Sequence, residues 1–330
     1  MPSKLRVLIV GCGNIAGGFD ADREQAALPL THAGAYSRHS GFRVTCCVDP
    51  DAQRREAFMK RWAIPEGRVS IDQAQNVGAG FDVISICSPT AFHAEHLDAA
   101  IRLKPRLIFC EKPVTPDLGE TEKWVSRCAD AGILLAVNHT RRWAPDVDRV
   151  SDELAAGQWG VVRSVVGHYN KGLLNNGGHM VDLLHRMLGN LQIQSVGRPL
   201  WDFWENDPSV PVVLTTEQGI PVYLNIAHAS DFAFFELQLI TSRAVLSMED
   251  GGARWRIRRA VDSPHFKGYK SLGVGEELVG EYAHAMTNAI ANIHDALHAN
   301  APVASTGLTA LAAQRVCDKI KRLAAVHEPA

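Results

Sequence analysis

Arg106-Leu107-Ile108-Phe109-Cys110-Glu111-Lys112-Pro113 is the stretch on which the reading of this chain turns. The apolar run from Leu107 to Cys110 has the continuous hydrophobicity of a strand buried on both faces, the mark of a parallel sheet, and a charged pair and a proline end it at once. In an open α/β sheet, ligands lie beyond the carboxyl ends of the strands, so Glu111 and Lys112 are delivered to the edge where chemistry occurs. A lysine after a single strand is most often a solvated surface group. The neighbouring runs decide otherwise.

Upstream, Val7-Leu8-Ile9-Val10 leads into Gly11-Cys12-Gly13-Asn14-Ile15-Ala16, a G-x-G-x-x-A turn. Gly11 permits the tight turn, Gly13 lets backbone approach a pyrophosphate, and Ala16 is small enough for helix-on-strand packing, with helix N-terminal amides facing the phosphates. The run Phe42–Val48 ends in Asp49-Pro50, and an acidic side chain there accepts from ribose hydroxyls and repels a 2′-phosphate, which favours NAD over NADP. No arginine is expected to follow and reverse that preference. Asp49 lies further from the glycine turn than the usual spacing of about 20 residues, and the excess falls in Gly17–Leu30, read as an inserted loop that is either a lid or a surface excursion. Val83–Cys87 ends in Ser88-Pro89-Thr90, with His93 and His96 on the following helix; no cysteine or third histidine stands at ligand spacing, so a helix start explains the pair better than a metal. A helix around Glu120–Ala131 precedes a last apolar run, Ile133–Val137, which ends in Asn138-His139.

Five apolar runs separated by helical patterns thus end in Gly11/Gly13, Asp49, Ser88, Lys112 and Asn138. Such repetition predicts a doubly wound, parallel Rossmann domain over residues 1–139, with Lys112 near a bound nicotinamide.

The totals agree. A chain of 330 residues is long enough for two domains, and a net charge of −2 without basic runs points away from nucleic acid and anionic membranes, toward a small partner. Seven cysteines, with Cys46, Cys47, Cys87 and Cys110 inside apolar runs, read as reduced, buried thiols in a cytoplasmic protein. No signal peptide or stretch of about 20 apolar residues is expected.

Residues 140–330 read as an α+β domain. A helix near Val147–Ala156 is followed by a half-buried strand, Val161–Tyr169. If Asn175–Leu188 is helical, Asn175, His179 and Asp182 fall on one face at i, i+4 and i+7. Glycines at 177 and 178 there cost about 1 kcal/mol each relative to alanine, which suggests a close approach to the backbone; a capped helix with a core histidine reads equally well. From Gln192 to Val261 an antiparallel meander is expected, presenting a broad open face that subunit pairing would cover, in a homodimer or homotetramer. Two helices close the chain, packing back toward the first domain; Tyr282, Met286, Ile290, Ile293 and Leu297 form a stripe on the first.

With these residues in place the chain resembles the family of glucose-fructose oxidoreductase and inositol 2-dehydrogenase, the Gfo/Idh/MocA oxidoreductases. The resemblance rests on the Gly11 turn, Asp49-Pro50, Ser88-Pro89 with His93, Glu111-Lys112-Pro113, Arg142, the Gly177–Asp182 segment and the terminal helices. It implies a Rossmann domain followed by an open-faced α+β domain, and hydride transfer between NAD and a sugar or cyclitol hydroxyl. It further implies Lys112 and His179 as catalytic residues, Asp182 in the polar network beside the histidine, and a cis Lys112–Pro113 bond. Expected cofactor-binding residues are Gly11, Gly13, Asn14, Ile15, Asp49, Ser88, Pro89, His93, Glu111, Lys112 and Asn138; expected substrate-binding residues are Asn175, Asn176, Asp182 and Arg142; no metal is expected. Cyclitol-oxidising members carry Asp where this chain has Asn175, and an amide cannot take up a proton as a carboxylate does. The position therefore resembles the branch acting on nucleotide-linked or otherwise modified sugars, such as 3-dehydrogenases. Two alternatives stand beside this reading: a non-catalytic NAD(P)-binding regulator, against which Lys112 and His179 argue, and an NADP-dependent reductase of a non-sugar carbonyl, against which Asp49 argues.

Overall fold

The structure is a computed structural model describing residues 4–24, 27–75, 77–78 and 80–325. Residues 25 and 26 of the expected insertion, and residues 1–3 of the basic start, lie outside the described residues. The chain divides into two units, Met1–Trp143 with Ala283–Leu311, and Ala144–Tyr282 with Ala312–Ala330.

The first unit holds β1 (Leu5–Val10), α1 (His32–Arg38), β2 (Phe42–Val48), α2 (Ala52–Trp62), β3 (Glu66–Arg68), α3 (Ile71–Ala74), β4 (Val83–Ile86), α4 (His93–Arg102), β5 (Leu107–Cys110), α5 (Leu118–Asp130) and β6 (Leu134–Val137). All six strands are parallel, in the order β3-β2-β1-β4-β5-β6, with the strand order reversing between β1 and β4. Register carries the functional consequence. Val10 pairs with Val48 and Ile86, Ile86 with Cys110, and Cys110 with Val137, so Gly11, Asp49, Ser88, Glu111 and Asn138 arrive at one edge. Leu8, Val10, Ile84, Ile86, Ile108 and Cys110 are wholly buried in the core beneath it, the aliphatic ones each contributing about 1.5–3 kcal/mol of burial. The sixth strand, Glu66-Gly67-Arg68, has no apolar residue, so no hydrophobic pattern could reveal it.

The glycine turn departs from expectation. One helical turn forms, with Gly17 and Gly18 donating to Gly13 O at 3.2 Å and Phe19 to Asn14 O at 3.0 Å, then a 3-10 turn at Gly18–Asp20, and among the described residues no α-helix starts before His32. The Gly17-Gly18 pair breaks the helix: Gly17 is packed so closely that an added Cβ would stand 2.3 Å from Trp62 Nε1. The phosphate-facing amides therefore belong to this single turn rather than to a long helix.

The second unit holds α6 (Pro145–Ala155), β7 (Val162–Tyr169), α7 (Gly178–Leu188), β8 (Leu191–Val196), β9 (Leu200–Trp204), β10 (Asp207–Ser209), β11 (Val212–Thr216), β12 (Pro221–Ile226), β13 (Phe235–Thr241), β14 (Ala244–Glu249), β15 (Arg254–Asp262), β16 (Lys270–Leu272) and β17 (Glu276–Val279). The large sheet runs β16-β15-β14-β13-β7-β12-β11-β8, with β17 also on β15, and β9 pairs with β10 in a separate hairpin. The expected meander is corrected here: β7 lies between β12 and β13, parallel to the former and antiparallel to the latter. Its alternate residues Val165 and Tyr169 are fully buried, which suits it to a central place. Alternation along β13 and β14 buries one face and leaves the other more open.

Of the closing helices, α8 (Ala285–Ala299) belongs to the first unit, and the unit boundary falls within α9 (Gly307–Ala324). No helix among the described residues is long and apolar enough to cross a membrane. All seven cysteines are buried and free.

Candidate cofactor and catalytic residues

Gly11 has φ +86°, and a Cβ there would stand 2.7 Å from Ser88 N, so glycine alone lets the end of β1 lie against the end of β4. At Gly13 a Cβ would meet nothing within 4 Å, leaving the backbone accessible as a phosphate cradle requires. Asn14 is exposed and Ile15 half-buried on the same turn. The Asp49 carboxylate is 3% exposed and fixed by two backbone donors, Cys12 N to Oδ2 and Asp51 N to Oδ1, both at 2.9 Å. A cavity of about 370 Å³ opens at this edge, lined by Gly11, Asp49, Ser70, Ser88, Pro89 and His96 among others. Its size and position, at the switch between β1 and β4, fit the adenosine half of a dinucleotide.

Two arginines stand beside Asp49 after all. The first turn of α2 brings Arg54 Nη1 to 3.5 Å from Asp49 Oδ1, and Arg55 Nη1 donates to Asp49 O at 2.6 Å. The expectation that no arginine follows Asp49 is corrected here: a helix starting at Ala52 returns positions 54 and 55 to the strand end.

His93 is wholly buried; Nε2 faces Ser88 O at 2.8 Å and Nδ1 faces Pro113 O at 3.0 Å. It ties the end of β4 to the chain after β5, while the cavity wall is formed by His96, whose Nδ1 meets Ser88 Oγ at 2.8 Å. Burial holds the His96 imidazole below its ordinary pKa. The pairing of a buried and a cavity-facing histidine is set by their spacing of three on α4, which places neither on the opposite face from the other but separates their depth.

Glu111 and Asn138 also face inward. Glu111 Oε1 accepts from Asn138 Nδ2 at 2.6 Å and meets His32 Nε2 at 2.9 Å, and Asn138 is 2% exposed. Burial pushes the Glu111 carboxyl up, but His32, the Asn138 amide and the Lys112 charge outweigh it and hold the group below its usual value. Lys112 follows, half-buried, and its bond to Pro113 is cis. Arg142 lies on the 3-10 turn Thr140–Trp143, buried, on a segment braced by α8: Trp143 Nε1 donates to Asn292 Oδ1 at 3.0 Å and Asn288 Nδ2 to Trp143 O at 3.1 Å.

In the second unit, Leu173–Gly177 forms a π-helical turn before α7. Gly177 N bonds Gly172 O five residues back, so the stretch carrying Asn175 and Asn176 is wound more loosely than the α-helix carrying His179 and Asp182. The buried carboxylate of Asp207 receives Leu174 N at 2.8 Å and Asn175 N at 2.9 Å, and the Asn175 side chain donates to Lys171 O at 3.0 Å. Burial raises the Asp207 carboxyl, the amides opposing it. Asp202 completes the brace, accepting from Lys171 N and from Ser209 Oγ, each at 2.8 Å. Asp202, Asp207 and Ser209 were missed by sequence reasoning; their only signal is polar residues set among the aromatics of a short hairpin. Asp182 is 1% exposed, while Asn175, Asn176 and His179 are half-buried.

A parallel sheet with a glycine turn and a strand-end carboxylate at its switch point defines a dinucleotide-binding fold. Residues 5–139 match the family model GFO_IDH_MocA, described as an oxidoreductase family with an NAD-binding Rossmann fold, so this segment of the chain is similar to that family. Among its relatives, D-glucoside 3-dehydrogenase of Escherichia coli K12 is 24% identical over 216 residues, 59% of this chain and 57% of that protein. Inositol 2-dehydrogenase of Rhizobium meliloti 1021 is 22% identical over 316 residues, 88% of this chain and 92% of the relative. Among solved structures, KijD10, a 3-ketoreductase from Actinomadura kijaniata in complex with NADP and TDP-benzene, superposes with a TM-score of 0.75 at 19% identity, covering 97% of this chain and 98% of that one. The aligned stretch thus spans a little over half the length of the first of these relatives.

Proposed function

We propose that the chain is an NAD(H)-dependent oxidoreductase that moves a hydride between the nicotinamide and a secondary hydroxyl or ketone of a sugar-like substrate, and that carbon 3 of a modified or linked sugar is the position oxidised or reduced. The observation that carries the proposal is the strand-edge register. It brings a phosphate turn, the Asp49 carboxylate and Lys112 to the end of one parallel sheet, on the two sides of the switch point where a dinucleotide would lie. The 3-dehydrogenase and the 3-ketoreductase among the similar proteins support the choice of carbon, and the amide at Asn175 supports a non-cyclitol substrate.

Gly11, Gly13, Asn14 and Ile15 would hold the pyrophosphate, Asp49 the adenosine ribose, and Ser88 and Pro89 the ribose on the other side of the switch. The cofactor supplies a hydride acceptor or donor. Lys112 and His179 handle the hydroxyl proton, one as acid/base and the other by hydrogen bonding to the developing alkoxide, while Asn175, Asn176, Asp182 and Arg142 bind substrate hydroxyls. His93, Glu111 and Asn138 take the role of holding the cofactor-facing residues in place. Copies of the chain pair through the open face of the large sheet, which size-exclusion chromatography with light scattering checks.

The test is incubation with NAD or NADP and a panel of free sugars, glycosides, nucleotide sugars and cyclitols, following absorbance of the reduced cofactor. Turnover on a glycoside or nucleotide sugar with NAD is expected. Reduced-cofactor formation on none of the panel, in either direction, defeats the proposal. Arg54 beside Asp49 supports a second reading, acceptance of NADP, and tighter binding of NADPH than NADH would favour it.

A further inference from the structure

We propose that His32 is a positioning residue for Lys112, acting through the carboxylate of Glu111; this rests on Lys112 being the proton-handling group proposed above. His32 is the first residue of α1 and wholly buried. Its ring lies against Phe109 of β5 at 4.4 Å between centroids, with Nε2 2.9 Å from Glu111 Oε1. Its Nδ1 has no hydrogen-bond partner among the described residues. A ring kept for packing alone would be better replaced by a hydrocarbon, because an unsatisfied buried nitrogen is costly. The one polar contact retained is the one to Glu111.

That contact completes a clamp. Asn138 Nδ2 meets the same carboxylate oxygen from β6 at 2.6 Å, Glu111 N donates to Ile86 O and Asn138 N to Cys110 O, both at 2.9 Å. Side chain and backbone of Glu111 are therefore held from three sides at the residue before Lys112. The clamp also keeps Oε1 of the carboxylate engaged by His32 and Asn138. Without His32, the same carboxylate is free to turn toward the adjacent ammonium, which it would hold protonated and out of use.

The insertion supplies the other end. Buried Asp20 accepts from Leu30 N at 3.0 Å, from Thr31 N at 3.0 Å and from Thr31 Oγ1 at 2.6 Å, and Thr31 Oγ1 in turn caps α1 by accepting from Gly34 N at 3.1 Å. The loop after the phosphate turn is thus anchored at the residue preceding His32, and on this inference it carries His32 to Glu111.

The test uses the full chain with NADH bound, in wild type, His32→Leu, His32→Gln and Glu111→Gln. Two readouts are taken: kcat, KM and NADH affinity on the best substrate of the panel, and the rate of reductive methylation of Lys112 followed by peptide mass, with Lys171 as internal reference. His32→Leu should lower kcat by about 10- to 100-fold, the scale of a small misplacement of a reacting group. It should change Lys112 methylation several-fold, with NADH affinity and Lys171 methylation unchanged. His32→Gln, whose amide can still donate to Glu111, should restore most of both, and Glu111→Gln, which has no carboxylate to pair with the ammonium, should shift Lys112 methylation in the sense opposite to His32→Leu, faster than wild type, a result that reads the inference even if His32→Leu fails to fold. Equal behaviour of Leu and Gln, or wild-type methylation of Lys112 in Glu111→Gln, overturns the inference. Full turnover in Lys112→Met would instead overturn the assignment of Lys112, and leaves the methylation result to stand or fall alone.

Discussion

Asp49→Asn tests the cofactor assignment most directly. The carboxylate accepts one backbone N–H on each oxygen, from Cys12 and Asp51, at 3% exposure. The isosteric amide keeps one acceptor and turns an NH2 toward the other donor, so one charge-assisted hydrogen bond is lost at about 1.5–3 kcal/mol. In a unit the size of the one that carries Asp49 each kcal/mol moves the melting temperature by about 2–4 °C, so a fall of several degrees is expected. The same change removes a unit negative charge from where a 2′-phosphate would sit. At about 4 Å in water a pair of unit charges interacts by about 1 kcal/mol, so a phosphate carrying close to two charges at pH 7 gains about 2 kcal/mol, or roughly 30-fold in NADPH binding relative to NADH. Arg54, 3.5 Å from the carboxylate, would then be released from Asp49 and add to the gain. Fluorescence titration of both reduced cofactors against wild type and variant measures the ratio. An unchanged NADPH-to-NADH affinity ratio would refute the placement of the adenosine ribose at Asp49.

Lys112→Met is expected to abolish turnover while NADH binds as before, measured by steady-state rates and the same titration. Gly172→Ala should destabilise the second unit by about 2–4 kcal/mol in urea denaturation, because φ is +94° and the new Cβ would stand 2.3 Å from Asp207 Oδ2 and 2.8 Å from Asp207 O. Glu111, held below its ordinary value of 4.5, contributes stability that is complete above that pH and is lost as pH falls through its lower folded value, where the unfolded chain binds the extra proton. The urea midpoints of wild type and Glu111→Gln should therefore converge as pH falls below 4.5, and a constant difference there would contradict the depressed value.

The first unit was largely legible. Continuous apolar runs such as Val83–Ile86 and Leu107–Cys110 specify strands buried on both faces, and the polar residues ending them mark one edge whatever the connecting helices do. In the second unit β7 and β11–β15 were legible as strands, β8–β10, β16 and β17 were not, and the pairing was not, since alternation in β7, β12 and β13 says which face is buried and nothing about which strand lies next. The same limit hid the supports of the site. His32, Asn138 and Glu111 are 79 and 27 residues apart in pairs, and no local pattern joins them.

Local chemistry in the chain was enough to specify the parallel sheet, the glycine turn at Gly11 and the charged pair after β5, because hydrophobic period, turn stereochemistry and charge act over a few residues. Which carboxylates would be satisfied by which donors, whether Arg54 would stand beside Asp49, and which histidine of α4 would face the cavity depended on the fold as a whole. Those are contacts between side chains distant in sequence, and their energies exist only once strand order and register have brought them within hydrogen-bonding distance.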